Sequence, residues 1–174
     1  MWIGRLARGL SWPRIRHLTQ TIITNAGTPA EFREARKLFE EYAEDVGLDL
    51  DFQNFARELE ELARMYAPPV GCLLLASRLG LIAGCIGLRR FDREVCEMKR
   101  LYVQPSGRGQ GVGRALVTAA IGRARQLGYR RMVLDTLASM KPARTLYRSL
   151  GFRETDPYYD NPIEDAVYME LNLG

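Results

Sequence analysis

Glycine and arginine are concentrated in one run, at the point where a strand pattern gives way to a helix pattern. The run is Gln104-Pro-Ser-Gly-Arg-Gly-Gln-Gly-Val-Gly-Arg114. The first turn of a helix has free backbone N–H groups and the positive end of the helix dipole, and glycines let the backbone approach a phosphate closely. Arg108 and Arg114 add positive charge. The run therefore predicts a site for a phosphate or pyrophosphate, although its composition also allows a turn with solvated arginines.

Two common phosphate motifs do not fit this run. It lacks Gly-Lys-Ser/Thr, which excludes a P-loop. It also lacks G-x-G-x-x-G, because no glycine of the run has a glycine both two and five positions later. A dinucleotide-binding fold would place such a turn after its first strand, whereas here it comes in the middle of the chain.

Composition and charge limit the class of protein. A chain of 174 residues, 47% hydrophobic and 26% charged, suits one soluble domain. The apolar runs Cys72–Ala76 and Leu81–Leu88 are far shorter than the ~20 residues that cross a bilayer. Residues 1–20 hold four arginines and no acid, while residues 31–61 hold eleven acids and four bases. We expect a basic extension over residues 1–18 and a single domain over 19–174, with no membrane partner.

The cysteines and the histidine do not indicate metal or nucleophilic chemistry. Cys72, Cys85 and Cys96 lie in apolar or alternating stretches without metal-binding spacing, which favours buried thiols in a reducing, cytoplasmic compartment. The one histidine, His17, lies in the basic extension. We therefore expect no metal site and no catalytic Cys-His pair.

The hydrophobic periodicity predicts the order of elements. A short strand at Thr21–Thr24 precedes a helix that Thr28 caps and Gly47 ends. A second helix begins after Asp51, with its acids outside and four apolar side chains inward: Phe52, Phe55, Leu59 and Leu62. Three strands then form an antiparallel meander, and a helix from about Gly109 to Gln126 joins the third strand to a parallel neighbour. The later elements follow in order: a strand at Arg131–Thr136, a helix at Pro142–Leu150 and a strand at Ala166–Leu173.

Three segments in this order resemble one family. Arg108-Gly109-Gln110-Gly111-Val112-Gly113 resembles the Arg/Gln-x-x-Gly-x-Gly/Ala signature of the GNAT N-acetyltransferase superfamily. Glu97-Met-Lys-Arg-Leu-Tyr-Val103 resembles the strand before that signature, and Ala143-Arg-Thr-Leu-Tyr-Arg-Ser-Leu-Gly-Phe152 resembles the family's late helix. The resemblance covers about residues 19–173 and implies an α/β (α+β) fold, with a mixed sheet of six to seven strands, about four helices and a splayed strand pair that binds acyl-CoA.

The resemblance also implies a cosubstrate site and a reaction, the transfer of an acetyl group from acetyl-CoA to an amine within a ternary complex. The backbone at Leu101 and Val103 would meet the pantetheine arm. The pyrophosphate would meet the loop, whose residues are Arg108, Gly109, Gln110, Gly111, Val112, Gly113 and Arg114.

Two side chains are candidates for the proton transfers. An alkyl ammonium has a pKa of about 10.4, so a base is needed to free the attacking amine. Glu97 is the candidate base, acting through a water, or it pairs with Lys99 or Arg100. Tyr147 is the candidate acid for the leaving thiolate, or it is a core tyrosine. Direct transfer and the lack of a nearby histidine disfavour Cys96 as an acyl carrier.

The sequence does not determine which amine accepts the acyl group. The acidic first helices favour a cationic small-molecule or peptide amine, or they form a solvated face, and Tyr158-Tyr159-Asp160-Asn161-Pro162 either closes over the pocket or forms a plain loop. A nucleic-acid partner lacks a recognition pattern. A homodimer is left open, and the alternative to an enzyme is a GNAT-shaped module that senses acyl-CoA without turning it over.

Overall fold

The polypeptide folds around one mixed sheet, seen in a computed structural model that describes residues 20–47, residue 50 and residues 53–174. Over these residues it forms seven strands and five α-helices. In chain order the elements are β1 Ile22–Asn25, α1 Pro29–Val46, α2 Phe55–Glu60, α3 Leu62–Met65, β2 Cys72–Arg78, β3 Leu81–Arg90, β4 Val95–Val103, α4 Val112–Gln126, β5 Arg131–Leu137, α5 Lys141–Ser149, β6 Arg153–Glu154 and β7 Ala166–Asn172. The predicted basic extension and His17 lie outside the described residues.

Helix α1 begins and ends where the sequence predicts. The Thr28 side chain accepts from the Glu31 N–H and the Glu31 carboxylate accepts from the Thr28 N–H, which together form a capping box. Gly47 ends the helix in the left-handed region at φ 66°. Its buried face, which includes Leu38 and Phe39, packs on the sheet.

The prediction of one continuous second helix is wrong, and one of its acids, Glu58, lies inside rather than on the outer face. Two short helices, α2 and α3, meet at Glu61, and the predicted inward residue Phe52 lies outside the described residues. Phe55 and Leu59 are only half-buried, whereas Glu58 is 1% exposed. The apolar stripe gave a wrong prediction because Arg100 of β4 draws the Glu58 carboxylate inward.

The sheet has the strand order β1-β2-β3-β4-β5-β7-β6. The two-residue edge strand β6 was not predicted. Among the described strands only β4 and β5 pair in parallel, as predicted for strands joined through a helix. Their pairing covers Val95–Glu97 against Arg131–Val133 and then stops, although both strands continue. The predicted splayed pair is therefore confirmed, and beyond these residues β4 and β5 do not pair with each other across the gap.

A bulge in β4 directs two basic side chains to the same face. Arg100 has φ 56°, and the β3–β4 register shifts opposite it. Lys99 and Arg100 both contact the segment that carries α2, at Gln53 and Glu58 respectively. The opposite face is covered by α4 through Leu116 and its neighbours in the main apolar core.

The three cysteines are buried, as predicted. Burial raises the pKa of the Cys72 thiol to about 11 and that of Cys96 to about 12. Neither thiol is poised as a nucleophile at neutral pH. Within the described ranges, no helix is long and apolar enough to cross a membrane.

Candidate active site

A cavity of about 570 Å³ opens where β4 and β5 part. Its walls come from both parted strands, the start of α4, the start and middle of α5, and the C-terminal end of α1. The predicted site residues that line it are Leu101, Val103, Arg108, Gly109, Gly111, Val112, Gly113 and Tyr147. Of the sequence-predicted residues, Glu97, Gln110 and Arg114 do not line the cavity.

The glycine-rich run forms the rim of this cavity and the start of α4. Gly109 and Gly111 have φ of 74° and 79°, values that glycine adopts without strain. Gly111 caps α4 with backbone only, so no side chain occupies the N–H groups of the first turn. A Cβ atom at either glycine would meet nothing within 4 Å. The rim therefore offers open space next to free backbone donors.

The polar side chains of the rim are engaged with the protein itself. Arg108 pairs with Asp45 of α1 at 2.5 Å and donates through Nε to the Val103 carbonyl at 2.9 Å. Gln110 donates to the Ser106 carbonyl, and Arg114 donates to Ser149 Oγ at 2.7 Å. These bonds hold the loop in place, and the backbone N–H groups at the start of α4 add free donors at the rim.

Two acids of α1, Glu41 and Asp45, contact the glycine-rich run. Besides the Asp45–Arg108 pair, Glu41 accepts two hydrogen bonds from the Gln104 amide at 3.1 and 3.2 Å. Glu40 pairs with Arg36 on the helix surface. Asp49 and Asp51 lie outside the described residues. The acidity of α1 therefore gives no support to a cationic acceptor.

Tyr147 of α5 lies in the cavity wall. Its side chain is buried, and burial raises the pKa of its hydroxyl. The ring packs against Phe152 at 5.7 Å between centroids. No hydrogen bond to the hydroxyl is found among the described residues, so this proton is held next to the cavity and is not committed to a protein acceptor.

Glu97 is the last β4 residue paired with β5, and it lies behind the cavity rather than in its wall. Its side chain is 2% exposed. One oxygen accepts from Arg89 at 2.7 and 2.8 Å, and the other accepts from Tyr158 at 3.0 Å and lies 3.6 Å from Lys99 Nζ. Glu97 reaches a smaller cavity of about 310 Å³ that Arg89 and Phe91 also line.

A polar network that the sequence did not predict closes the inner end of the main cavity. Lys99 Nζ lies 3.1 Å from Asp135 Oδ1 of β5 and 3.1 Å from Gln53 Oε1. Tyr159 and Gln53 donate to the other Asp135 oxygen at 2.9 and 3.2 Å. Burial opposes ionisation of Asp135, but the Lys99 charge and these hydrogen bonds outweigh it and lower the pKa of the carboxyl.

The segment Tyr158–Asn161 covers this network. The neighbouring tyrosines donate to different carboxylates, Tyr158 to Glu97 and Tyr159 to Asp135, and Asn161 donates to the Tyr159 hydroxyl at 2.9 Å. The segment is thus fixed by hydrogen bonds to these two carboxylates, and Asn161 lines the main cavity. In the sequence, the feature that could have indicated Asp135 as a site residue is its position as a single carboxylate in the apolar strand Arg131–Leu137.

A second buried ion pair fixes the bulge of β4. Glu58 accepts from Arg100 Nη2 at 2.6 Å and from its Nε at 3.2 and 3.3 Å, and Tyr66 also donates to this carboxylate. The Arg100 guanidinium lies 5.0 Å from the centre of the Phe55 ring. Burial would raise the pKa of Glu58, but the Arg100 charge and hydrogen bonds outweigh it, so the pKa is lowered.

Comparison with known proteins places this geometry in a family. A sequence model described as the acetyltransferase (GNAT) family matches residues 32–152. An uncharacterized N-acetyltransferase of Schizosaccharomyces pombe is 44% identical over 148 residues, which cover 84% of this chain and 91% of that protein. An uncharacterized N-acetyltransferase of Dictyostelium discoideum is 30% identical, over 80% of this chain and 94% of that protein.

Solved structures show the same fold. A GNAT-family acetyltransferase from Staphylococcus aureus superposes with a TM-score of 0.74 at 22% identity, over 89% of this chain and 100% of that one. The putative acetyltransferase yncA from Salmonella typhimurium, solved with its cofactor acetyl-CoA, gives a TM-score of 0.64 at 23% identity, over 88% and 94% of the two chains. The extent of the family match and the identity to the yeast protein decide the assignment: the chain belongs to the GNAT family of acetyltransferases.

Proposed function

We propose that the protein transfers an acetyl group from acetyl-CoA to a primary amine by direct attack in a ternary complex. The observation that carries this proposal is the cavity between the parted ends of β4 and β5, rimmed by free N–H groups at the start of α4. Free strand backbone suits the amide groups of a pantetheine arm, and an uncapped helix start suits a pyrophosphate. The residues present therefore fit acetyl-CoA.

Each proposed cosubstrate contact has a place in this geometry. Leu101 and Val103 would offer backbone groups along the gap, and Gly109, Gly111, Val112 and Gly113 would offer the rim of the cavity. Arg108, Gln110 and Arg114 would help to hold the loop, because their side chains bond to Asp45, Ser106 and Ser149. The remaining guanidinium N–H groups of the two arginines would add donors and positive charge at the rim. The donor supplies an acyl group activated as a thioester.

The chain's own residues would then handle the protons. Tyr147 holds a proton at its hydroxyl next to the cavity and would give it to the departing thiolate. Glu97 would take a proton from the acceptor nitrogen through a water molecule, since its carboxylate is buried behind the cavity wall. A neutral amine that has attacked a carbonyl must still lose one proton to become an amide, and this is the proton assigned to Glu97.

Thiol release from acetyl-CoA with a panel of primary amines tests this function. We expect the wild type to release thiol with at least one amine, and Glu97→Gln to bind acetyl-CoA normally but turn over about 10²-fold more slowly. Tight binding of acetyl-CoA without thiol release for any amine would refute the enzyme and favour a sensing module. Normal turnover by Glu97→Gln would refute only the role of Glu97.

A further inference from the structure

Lys99 is a buried charged side chain in the cavity wall. It stands on β4 two residues after the last residue paired with β5, and its side chain is 4% exposed. The acceptor must approach the parted strands from this side, because α4 covers the opposite face. An amine that reaches the gap therefore comes close to the Lys99 ammonium.

The charges around Lys99 are already balanced. The sheet contributes Asp135 from β5, Glu97 and Arg100 from β4, and Arg89 from β3 behind Glu97. The segment of α2 contributes Gln53 and Glu58, and Tyr158 and Tyr159 cover the group. Three cations and three carboxylates cancel in this group. An acceptor that entered as an ammonium would add an uncompensated positive charge to a largely dry site.

Asp135 does not offer a vacant anion for such an ammonium. Its two oxygens already accept from Lys99, Gln53 and Tyr159, at 2.9 to 3.2 Å. The Gln53 oxygen is likewise occupied by Lys99. An incoming cation would have to displace the lysine, whereas a neutral amine would not.

We propose that Lys99 activates the acceptor: its ammonium group, fixed by Asp135 and Gln53, disfavours the protonated form of an incoming primary amine, so that the site takes the amine as the free base. A like charge at close range has this effect on any ionisable group. Lys99 acts before the attack and Glu97 after it. The inference rests on the proposed acetyl transfer and adds a residue and a substrate class to it.

The substrate class follows from the cost of losing the proton. An α-amino group has a pKa of about 7.7–8.0, whereas an alkyl ammonium has one of about 10.4. A site that takes the free base therefore favours weakly basic amines, such as the α-amino group of an amino-acid amide or a peptide. At neutral pH we expect glycinamide to be acetylated with a higher kcat/KM than ethylamine.

The pH dependence of turnover distinguishes this role from a structural one. The pH profile of kcat/KM reports the free amine, and the profile of kcat at saturating amine reports the bound amine. In the wild type, with glycinamide, we expect the kcat profile to reach half its plateau about one pH unit or more below the kcat/KM profile. Lys99→Met should close this gap, while Lys99→Arg, which keeps the charge, should retain it.

Lys37→Met is the matched control, because Lys37 lies on the exposed face of α1 and pairs only with Glu34 in the described part of the chain. It should leave both profiles unchanged. Coincident profiles in the wild type, or an equal gap in Lys99→Met, would overturn the inference. Coincident profiles in the wild type overturn the inference even if Lys99→Met fails to fold. No acetylation with any amine would instead refute the proposed function, and the inference with it.

Discussion

Tyr147, the candidate acid, lies in the cavity wall together with most of the predicted cosubstrate residues. Burial raises the pKa of its hydroxyl, and no protein acceptor holds its proton in the described residues. The carboxylates show the opposite pattern. Glu97 has the position that the motif implies, but it lies behind the cavity wall. Asp135 lines the wall but was not predicted, because its contacts come from Lys99, Gln53 and Tyr159, which lie far apart in the sequence.

Tyr147→Phe removes one hydroxyl and leaves no hydrogen-bond partner unsatisfied in the described part of the chain. We expect kcat to fall about 10²-fold, because the leaving thiolate loses its acid, with acetyl-CoA affinity nearly unchanged in calorimetry. Tyr129→Phe is the control. Its hydroxyl donates to the Val70 carbonyl away from the cavity, so it should lose stability but not turnover. Wild-type kcat in Tyr147→Phe would remove Tyr147 as the acid.

At the scale of elements, the sequence predicted those helix ends that are set by neighbouring residues. The start of α1 follows from a capping box and its end from a glycine, and both are set within four residues. The break between α2 and α3 could not be predicted in this way, because Glu58 turns inward to meet Arg100, which lies 42 positions later in the chain. The parting of β4 and β5 was predicted only through the family resemblance, since no local pattern marks where two strands separate.

The two glycines that flank α4 test the proposal that the start of this helix binds the cosubstrate. Gly111 and Gly128 have φ of 79° and 83°, and a Cβ at either would meet nothing within 4 Å. Valine at either position should therefore cost a similar amount, about 1–2 kcal/mol, through backbone strain alone. We expect only Gly111→Val to abolish acetyl-CoA binding in calorimetry, because only the start of α4 lines the cavity. Unchanged affinity in Gly111→Val would refute the loop assignment.

At the scale of the whole molecule, one buried ion pair ties α2 to the sheet. Glu58 belongs to α2 and Arg100 to the bulge of β4, and both side chains are at most 2% exposed. Glu58→Gln would leave the guanidinium without its counter-charge. Breaking a buried pair in this way costs on the order of 3–5 kcal/mol of unfolding free energy, far more than the loss of a surface pair.

The pH dependence of this loss has a defined sign. Because the pKa of Glu58 is lowered in the folded state, its contribution to stability is complete above the unfolded-state value of about 4.3 and declines as the pH falls below it. Urea denaturation should therefore show the largest difference between wild type and Glu58→Gln near neutral pH and a smaller one in acid. Other carboxylates titrate in both proteins and cancel in this difference. Glu60→Gln, at an exposed position of the same helix, should match the wild type throughout. A difference that stays constant from neutral to acid pH would show that the Glu58 charge does not stabilise the fold.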